Sequence, residues 1–126
     1  MFSKLGQIML YVNNQDDALK FWTEKLGFSI IADETIEQGL RWIEIVPKKG
    51  VETSIILHDK EIVSKMSPEL FLGTPSLMFF SEKLEELHSD LVNKNVTVGD
   101  IVHMPSGRVF NFADNEENYF AVMEKK

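Results

Sequence analysis

Apolar and polar positions alternate with a period of two from Lys4 to Val12. Ile8, Leu10 and Val12 fall on one side, Gln7, Met9 and Tyr11 on the other, which predicts a strand. Asn13-Asn14-Gln15-Asp16 supplies turn and N-cap chemistry. Over residues 16–26, Ala18, Leu19, Trp22 and Leu26 recur at helical spacing, and Gly27 stands where a C-cap belongs. Strands are predicted over 28–36, 40–46 and 53–58, punctuated by Gln38-Gly39 and by Pro47 with Lys48-Lys49-Gly50. The periodicity lapses between Asp59 and Pro75, where Ser67-Pro68, Gly73 and Pro75 act as breakers, and this stretch reads as an irregular linker.

The same grammar then restarts. A strand is predicted over 76–80 and a helix over 81–95, with Ser81 as its cap and Leu84, Leu87, Leu91 and Val92 as its apolar stripe. Strands follow over 96–103, 108–113 and 119–124, joined by turns at Met104-Pro105-Ser106-Gly107 and at Asp114 to Asn118. The order is βαβββ, linker, βαβββ. This gives one domain over 1–126, with a first module of about 4–58, a linker of 59–75 and a second module of about 76–124. The repeat is visible in residues too: Leu40-Arg41-Trp42-Ile43-Glu44-Ile45 parallels Gly107-Arg108-Val109-Phe110-Asn111-Phe112, and Arg41 and Arg108 are the only arginines. Each module is too short to hide both faces of a sheet. The expected architecture is therefore α+β: two curled mixed sheets, each with one face under a helix and the other turned to a shared cavity.

Composition narrows the function classes. A chain of 126 residues with 44% apolar and 26% charged residues is an ordinary globular domain. It has no cysteine, which excludes a disulfide framework, a thiol nucleophile and a Cys-based metal site. A net charge of −7 repels phosphate backbones, so nucleic acid is not an expected partner. No apolar run approaches the ~20 residues of a membrane span. Met1-Phe2-Ser3-Lys4 leads straight into patterned structure without a signal-like apolar stretch, and the expected location is cytoplasmic. There is no Gly-rich phosphate loop, and no helix follows Ser106-Gly107 to make a nucleophile elbow.

Tyr11-Val12-Asn13 leads into Asp17-Ala18-Leu19-Lys20-Phe21-Trp22 and then Lys25-Leu26-Gly27-Phe28, within a paired βαβββ order. This pattern resembles the glyoxalase/bleomycin-resistance family, the vicinal oxygen chelate superfamily, over nearly the whole chain. Asp114 to Asn118 is similar to a drifted form of that family's Asp-Pro-Asp-Gly-Asn turn. The resemblance implies the glyoxalase/bleomycin-resistance fold. It leaves the activity open, since members include lyases, isomerases, dioxygenases, thiol transferases and drug-binding proteins. Enzymes of the family usually hold a divalent metal through four side chains, and the corresponding positions here are Gln7, Ile56, Ser76 and Val122. Isoleucine and valine cannot coordinate, and serine is a poor neutral ligand. No cofactor is therefore expected. A shift of two residues would offer Ser54 or His58 with Phe120 or Glu124, which keeps a divalent metal at His58 and Glu124 as an alternative.

Glu44 alternates with Trp42 and Val46, and its repeat mate is Asn111. If Ile43 and Ile45 pack beneath the helix, Glu44 faces the cavity as a general base or as a partner for a cationic ligand; otherwise it lies outward at a sheet edge or dimer rim. Met9, Tyr11, Trp42, Met78 and Phe80 form an expected aromatic and thioether lining, or simply fill the core. The expected ligand-contacting set is thus Gln7, Met9, Tyr11, Trp42, Glu44, Ile56, Ser76, Met78, Phe80, Asn111 and Val122. His58 reads as an acid/base or metal ligand at the cavity mouth, or as a solvated strand end. His88 reads as a boundary residue, and His103 as a turn residue or a gate. Arg41 and Arg108 clamp an anion or pair with local carboxylates.

Three functions follow as expectations. The first is a metal-free homodimer that encloses a small apolar or aromatic molecule without transforming it, as in sequestration or resistance. The second is a lyase, isomerase or dioxygenase, with a rearranged metal site or with Glu44 as base. The third is a protein–protein interaction module on the same scaffold.

Overall fold

In the first module the alternation is clearest at the start of the chain, where Leu10 and Val12 are buried and Met9 and Tyr11 are not. The computed structural model describes residues 1–125, the side chain of Gln38 excepted, and forms two compact units, one ending at Thr74 and the other starting at Pro75. The first contains β1 (Gln7–Val12), α1 (Gln15–Lys20), β2 (Ser29–Thr35), β3 (Arg41–Val46), β4 (Ser54–Asp59) and α2 (Lys60–Met66). Its sheet runs β1-β4-β3-β2, with β1 parallel to β4 and the other pairs antiparallel. Leu10, Val12, Ile43, Ile45, Ile55 and Leu57 are buried on the same side as Ala18 and Trp22. This is the core of the unit.

Local chemistry sets the helix against the sheet. The Asn14 side chain accepts from the Asp17 amide at 2.9 Å and caps α1. Next to the cap, the Gln15 side chain is buried and donates to the carbonyls of Arg41 at 2.7 Å and Leu57 at 2.8 Å, stitching α1 to β3 and β4 at once. The helix widens into a π-type turn over Phe21–Lys25, which places Trp22 wholly inside and edge-on to Phe28, with ring centroids 5.0 Å apart. Gly27 then reverses the chain at φ +77°, a conformation that favours glycine.

The second unit repeats the plan with β5 (Met78–Ser81), α3 (Leu84–Asn93), β6 (Val102–Met104), β7 (Gly107–Ala113) and β8 (Tyr119–Glu124), in sheet order β5-β8-β7-β6. Its core is Phe110, Phe112, Phe120 and Val122 with Leu84 and Leu91. The repeat extends to the arginines. Arg41 is held by Asp16 beside α1's cap at 2.7 Å and by Asp33 on β2 at 2.8 Å. Arg108 is held by Glu85 on α3 at 2.6 Å and by Glu124 on β8 at 2.9 Å. Both arginines take the local-carboxylate reading, because each guanidinium sits where a helix start and a neighbouring strand bring acidic groups to its fork.

Several sequence expectations are corrected. The stretch read as irregular after Asp59 holds the two-turn helix α2, whose start is capped by the Asp59 carboxylate accepting from the Ile62 amide at 3.2 Å. None of its residues is fully buried, and its apolar positions, Ile62, Val63 and Met66, are too few to stand out as a stripe. The helix read from Ser81 begins at Leu84. Ser81 belongs to β5, and its hydroxyl accepts from the Lys83 amide at 3.1 Å. Val92 is exposed rather than part of the stripe. The strand read over 96–103 reduces to a bridge between Val98 and Phe112 followed by the three residues of β6. At the closing turn, Asp114 accepts from the amides of Glu116 at 2.8 Å and Asn118 at 2.9 Å, and Glu117 takes φ +64°.

Two outcomes follow for stability. Replacing Gln15 with alanine strands two carbonyls in the core and should lower unfolding free energy by about 2 kcal/mol, read from urea denaturation. Glu117→Gly removes a side chain from the left-handed region and should raise stability by roughly 1 kcal/mol in the same assay.

Candidate functional site

Each strand that offers Leu10, Ile43 or Leu57 to the core must turn its other residues to the opposite face. In the first unit that face carries three rows, fixed by register. Tyr11, His58 and Trp42 stand together; Met9, Ile56 and Glu44 form the next row; Gln7 and Ser54 form the last. Strand geometry spaces successive rows by roughly 7 Å. The face is therefore aromatic at one end, thioether and aliphatic in the middle, and polar at the other end.

Two concavities lie along it. The smaller, about 170 Å³, is lined by Gln7, Met9, Trp42, Ile56 and His58. The larger, about 430 Å³, includes Gln7, Glu44, Glu52, Ser54 and Lys4 in its lining. His58 is half-buried, not a solvated strand end: its ring stacks on Tyr11 with centroids 5.7 Å apart and planes 19° apart. Its Nε2 lies 3.2 Å from the Met9 sulfur, while Nδ1 is buried with no hydrogen-bond partner among the described residues. Desolvation holds this imidazole below its ordinary value of 6.5. Glu44 is also half-buried, and it accepts a hydrogen bond from the Ser54 hydroxyl at 2.6 Å.

Of the expected residues, Gln7, Met9, Tyr11, Trp42, Glu44 and Ile56 thus share one face of the first sheet. In the second unit, Met78, Phe80 and Asn111 lie on the face opposite α3, with Ser76 two residues ahead of Met78 and before the strand begins. Val122 is misplaced by the sequence reading. It stands opposite Phe110 and is 2% exposed in the core beside it. The residue that stands to Asn111 and Met78 as Ile56 stands to Glu44 and Met9 is Ala121. A slip of one residue turns a strand's side chain to the other face. Ser54 was offered only as a shifted metal position, and the signal that finds it is its place two residues before Ile56 on an alternating strand.

These residues do not fit a divalent cation. Ile56 and Ala121 present only hydrocarbon, and Gln7 and Ser76 offer neutral oxygens. Glu124, the carboxylate of the alternative pairing with His58, is engaged by Arg108 Nε at 3.0 Å and Nη2 at 2.9 Å. Among the described residues, no three His, Asp or Glu side chains come together as a metal-binding group. His88 Nε2 lies 2.8 Å from the Gly99 carbonyl, and its ring meets Phe110 edge-on. His103 is exposed on β6 opposite Arg108.

Comparison with known proteins places these features in context. A family model described as Glyoxalase/Bleomycin resistance protein/Dioxygenase superfamily matches residues 4–122. The uncharacterized protein YetH of Bacillus subtilis (strain 168) is 30% identical over 125 residues, covering 98% of this chain and all of that one, 100%. Among solved structures, TnmS3, an antibiotic binding protein from Streptomyces sp. CB03234, superposes with a TM-score of 0.83 at 25% identity over 99% of this chain and 98% of that one. UcmS2 superposes with a TM-score of 0.80 at 28% identity over 98% of both chains.

The buried imidazole has a measurable consequence. Its folded-state pKa lies below the unfolded value of 6.5, so acid protonates the unfolded chain first. The stability this group contributes is complete above the unfolded value and is lost as pH falls through the folded one. The melting temperature should therefore fall more steeply between about pH 7.5 and 5 in the unmodified protein than in His58→Gln, as read by calorimetry.

Proposed function

Because this chain belongs to the Glyoxalase/Bleomycin resistance protein/Dioxygenase superfamily, we propose that it binds a small apolar or aromatic molecule without a metal and without transforming it. The observation that carries this reading is the strip of Tyr11, His58, Trp42, Met9 and Ile56, a wall of rings, thioether and hydrocarbon with a hydrocarbon side chain at a position where enzymes of this family hold metal. Such a wall gains from every apolar area it removes from water, about 2.5 kcal/mol for 100 Å². Trp42 and Tyr11 offer ring faces to a planar ligand, and Met9 adapts its thioether to irregular outlines. Burial favours the neutral form of His58, so it adds a polar edge without adding a charge. The likeness to an antibiotic binding protein supports a small-molecule ligand.

The protein acts in this reading as a cytoplasmic homodimer. Its support is the face of the second sheet opposite α3, where Met78, Phe80, Val102 and Met104 are all exposed. Four large apolar groups on one sheet face are a surface that a second copy would cover.

A second reading is kept for one observation, the half-buried Glu44 carboxylate beside Ser54. A carboxylate so placed suits a general base for isomerisation. Substrate turnover that is lost in Glu44→Gln with the fold intact would select this reading over simple binding.

Trp42 gives the test of binding. It is half-buried on the proposed site, whereas Trp22, the other tryptophan, is wholly buried in the core. A neutral dansylamide fluorophore should bind saturably, one per chain, with energy transfer from Trp42 that disappears in Trp42→Phe. Trp42→Ala should weaken binding by about tenfold. Absence of saturable binding by dansylamide and by a panel of planar tricyclic aromatics would refute the proposal. Sedimentation at micromolar concentration should give twice the chain mass of 14.5 kDa; a monomer would refute the dimer.

A further inference from the structure

The proposed site is not apolar throughout. Glu44 sits in the middle row, opposite Ile56 and in line with Met9, and its carboxylate accepts from Ser54 at the polar end. Among the described residues no ion pair reaches Glu44. This contrasts with Asp16, Asp33, Glu85 and Glu124, each of which is held by an arginine. The cavity beside it, about 430 Å³, is lined by one cation, Lys4, and two anions, Glu44 and Glu52.

A flat apolar ligand laid over the strip would cover Glu44 along with Met9 and Ile56, because register places the three side by side. Covering a carboxylate that has one neutral hydrogen bond and no counter-ion is unfavourable, since it loses water and gains nothing in exchange. The ligand avoids that penalty only by carrying its own donor to this point. A protonated amine suits it best: it supplies charge as well as N–H groups, and the chain's net charge of −7 draws cations towards it.

We propose that Glu44, with Ser54 and Gln7 beside it, is a recognition subsite for a protonated amine, so that the ligand is a planar aromatic bearing a cationic arm. This rests on the reading of the strip as a ligand site. Strand spacing sets the arm: the Ser54 row lies about 13 Å from the Tyr11–His58–Trp42 row, and the Glu44 carboxylate lies on the path between them. Ser54 holds the carboxylate in place, and Gln7 offers a carbonyl oxygen to a remaining N–H. The subsite selects among aromatic ligands rather than supplying the bulk of the affinity.

The test compares dansylcadaverine, whose arm ends in a free amine, with its N-acetyl derivative, by fluorescence titration at low salt. The unmodified protein should bind the amine about tenfold more tightly than the acetylated probe. That ratio should shrink with added salt and fall to near one in Glu44→Gln. Equal affinities in the unmodified protein would overturn the subsite while leaving the ligand site standing. A preference for the amine that survives Glu44→Gln would overturn it too, by placing the recognition elsewhere. Failure of both probes and of neutral dansylamide to bind would remove the ligand site and the subsite together.

Discussion

A four-stranded sheet has two faces, and each module packs one amphipathic helix against only one of them. The rest of the structure depends on this shortage. Leu10, Ile43, Ile45 and Leu57 are withdrawn from water with Ala18 and Trp22, and Phe110, Phe112 and Phe120 with Leu84 and Leu91. The period-two alternation that achieves this sends an equal number of residues to the opposite faces. Those opposite faces are less uniformly buried: Met9 is exposed and Trp42 and Glu44 are half-buried there, beside the buried Ile56 and Ser54.

The polar groups of the two kinds of face are used differently. On the helix side they lock geometry. Gln15 spans two strands, and Arg41 and Arg108 each clamp a helix start to a neighbouring strand. Most of those ion pairs are exposed enough that screening limits what each contributes to stability, and their service is to fix orientation. On the opposite face of the first sheet the polar groups are left unmatched. Among the described residues, His58 keeps a buried nitrogen without a hydrogen-bond partner, and Glu44 keeps a carboxylate without a counter-ion. Unmatched polar groups cost stability, and this face carries that cost where the helix side does not.

Much of this was legible in residue order. The alternation marks every strand of the first sheet to within a residue or two at most ends, and the equivalent positions of Arg41 and Arg108 mark the repeat in the sequence itself. The placement of Ile43 and Ile45 in the core, and with it the turning of Glu44 to the other face, followed from the same alternation. Val122 is displaced because the connection from β7 to β8 (residues 114–118) is shorter than that from β3 to β4 (residues 47–53), and one residue of offset exchanges core for surface. The helix α2 escaped reading because seven residues with three apolar positions, Ile62, Val63 and Met66, are too few to establish a period. His58 looked like a solvated strand end because its cover, Tyr11 and Met9, comes from a strand 47 positions earlier in the chain.

The sequence by itself determined the architecture of each module and the division of residues between its two faces, because a strand's side chains obey a period that local order alone sets. What the tertiary structure decided is which residues from different strands stand together. Parallel pairing of β1 with β4 and antiparallel pairing of β3 with β4 bring Tyr11, His58 and Trp42 into one row and Met9, Ile56 and Glu44 into the next. Burial of an imidazole and the approach of a serine hydroxyl to a carboxylate depend on those rows. Register is a long-range property, fixed only when the helix covers one face and the strands align to fill it.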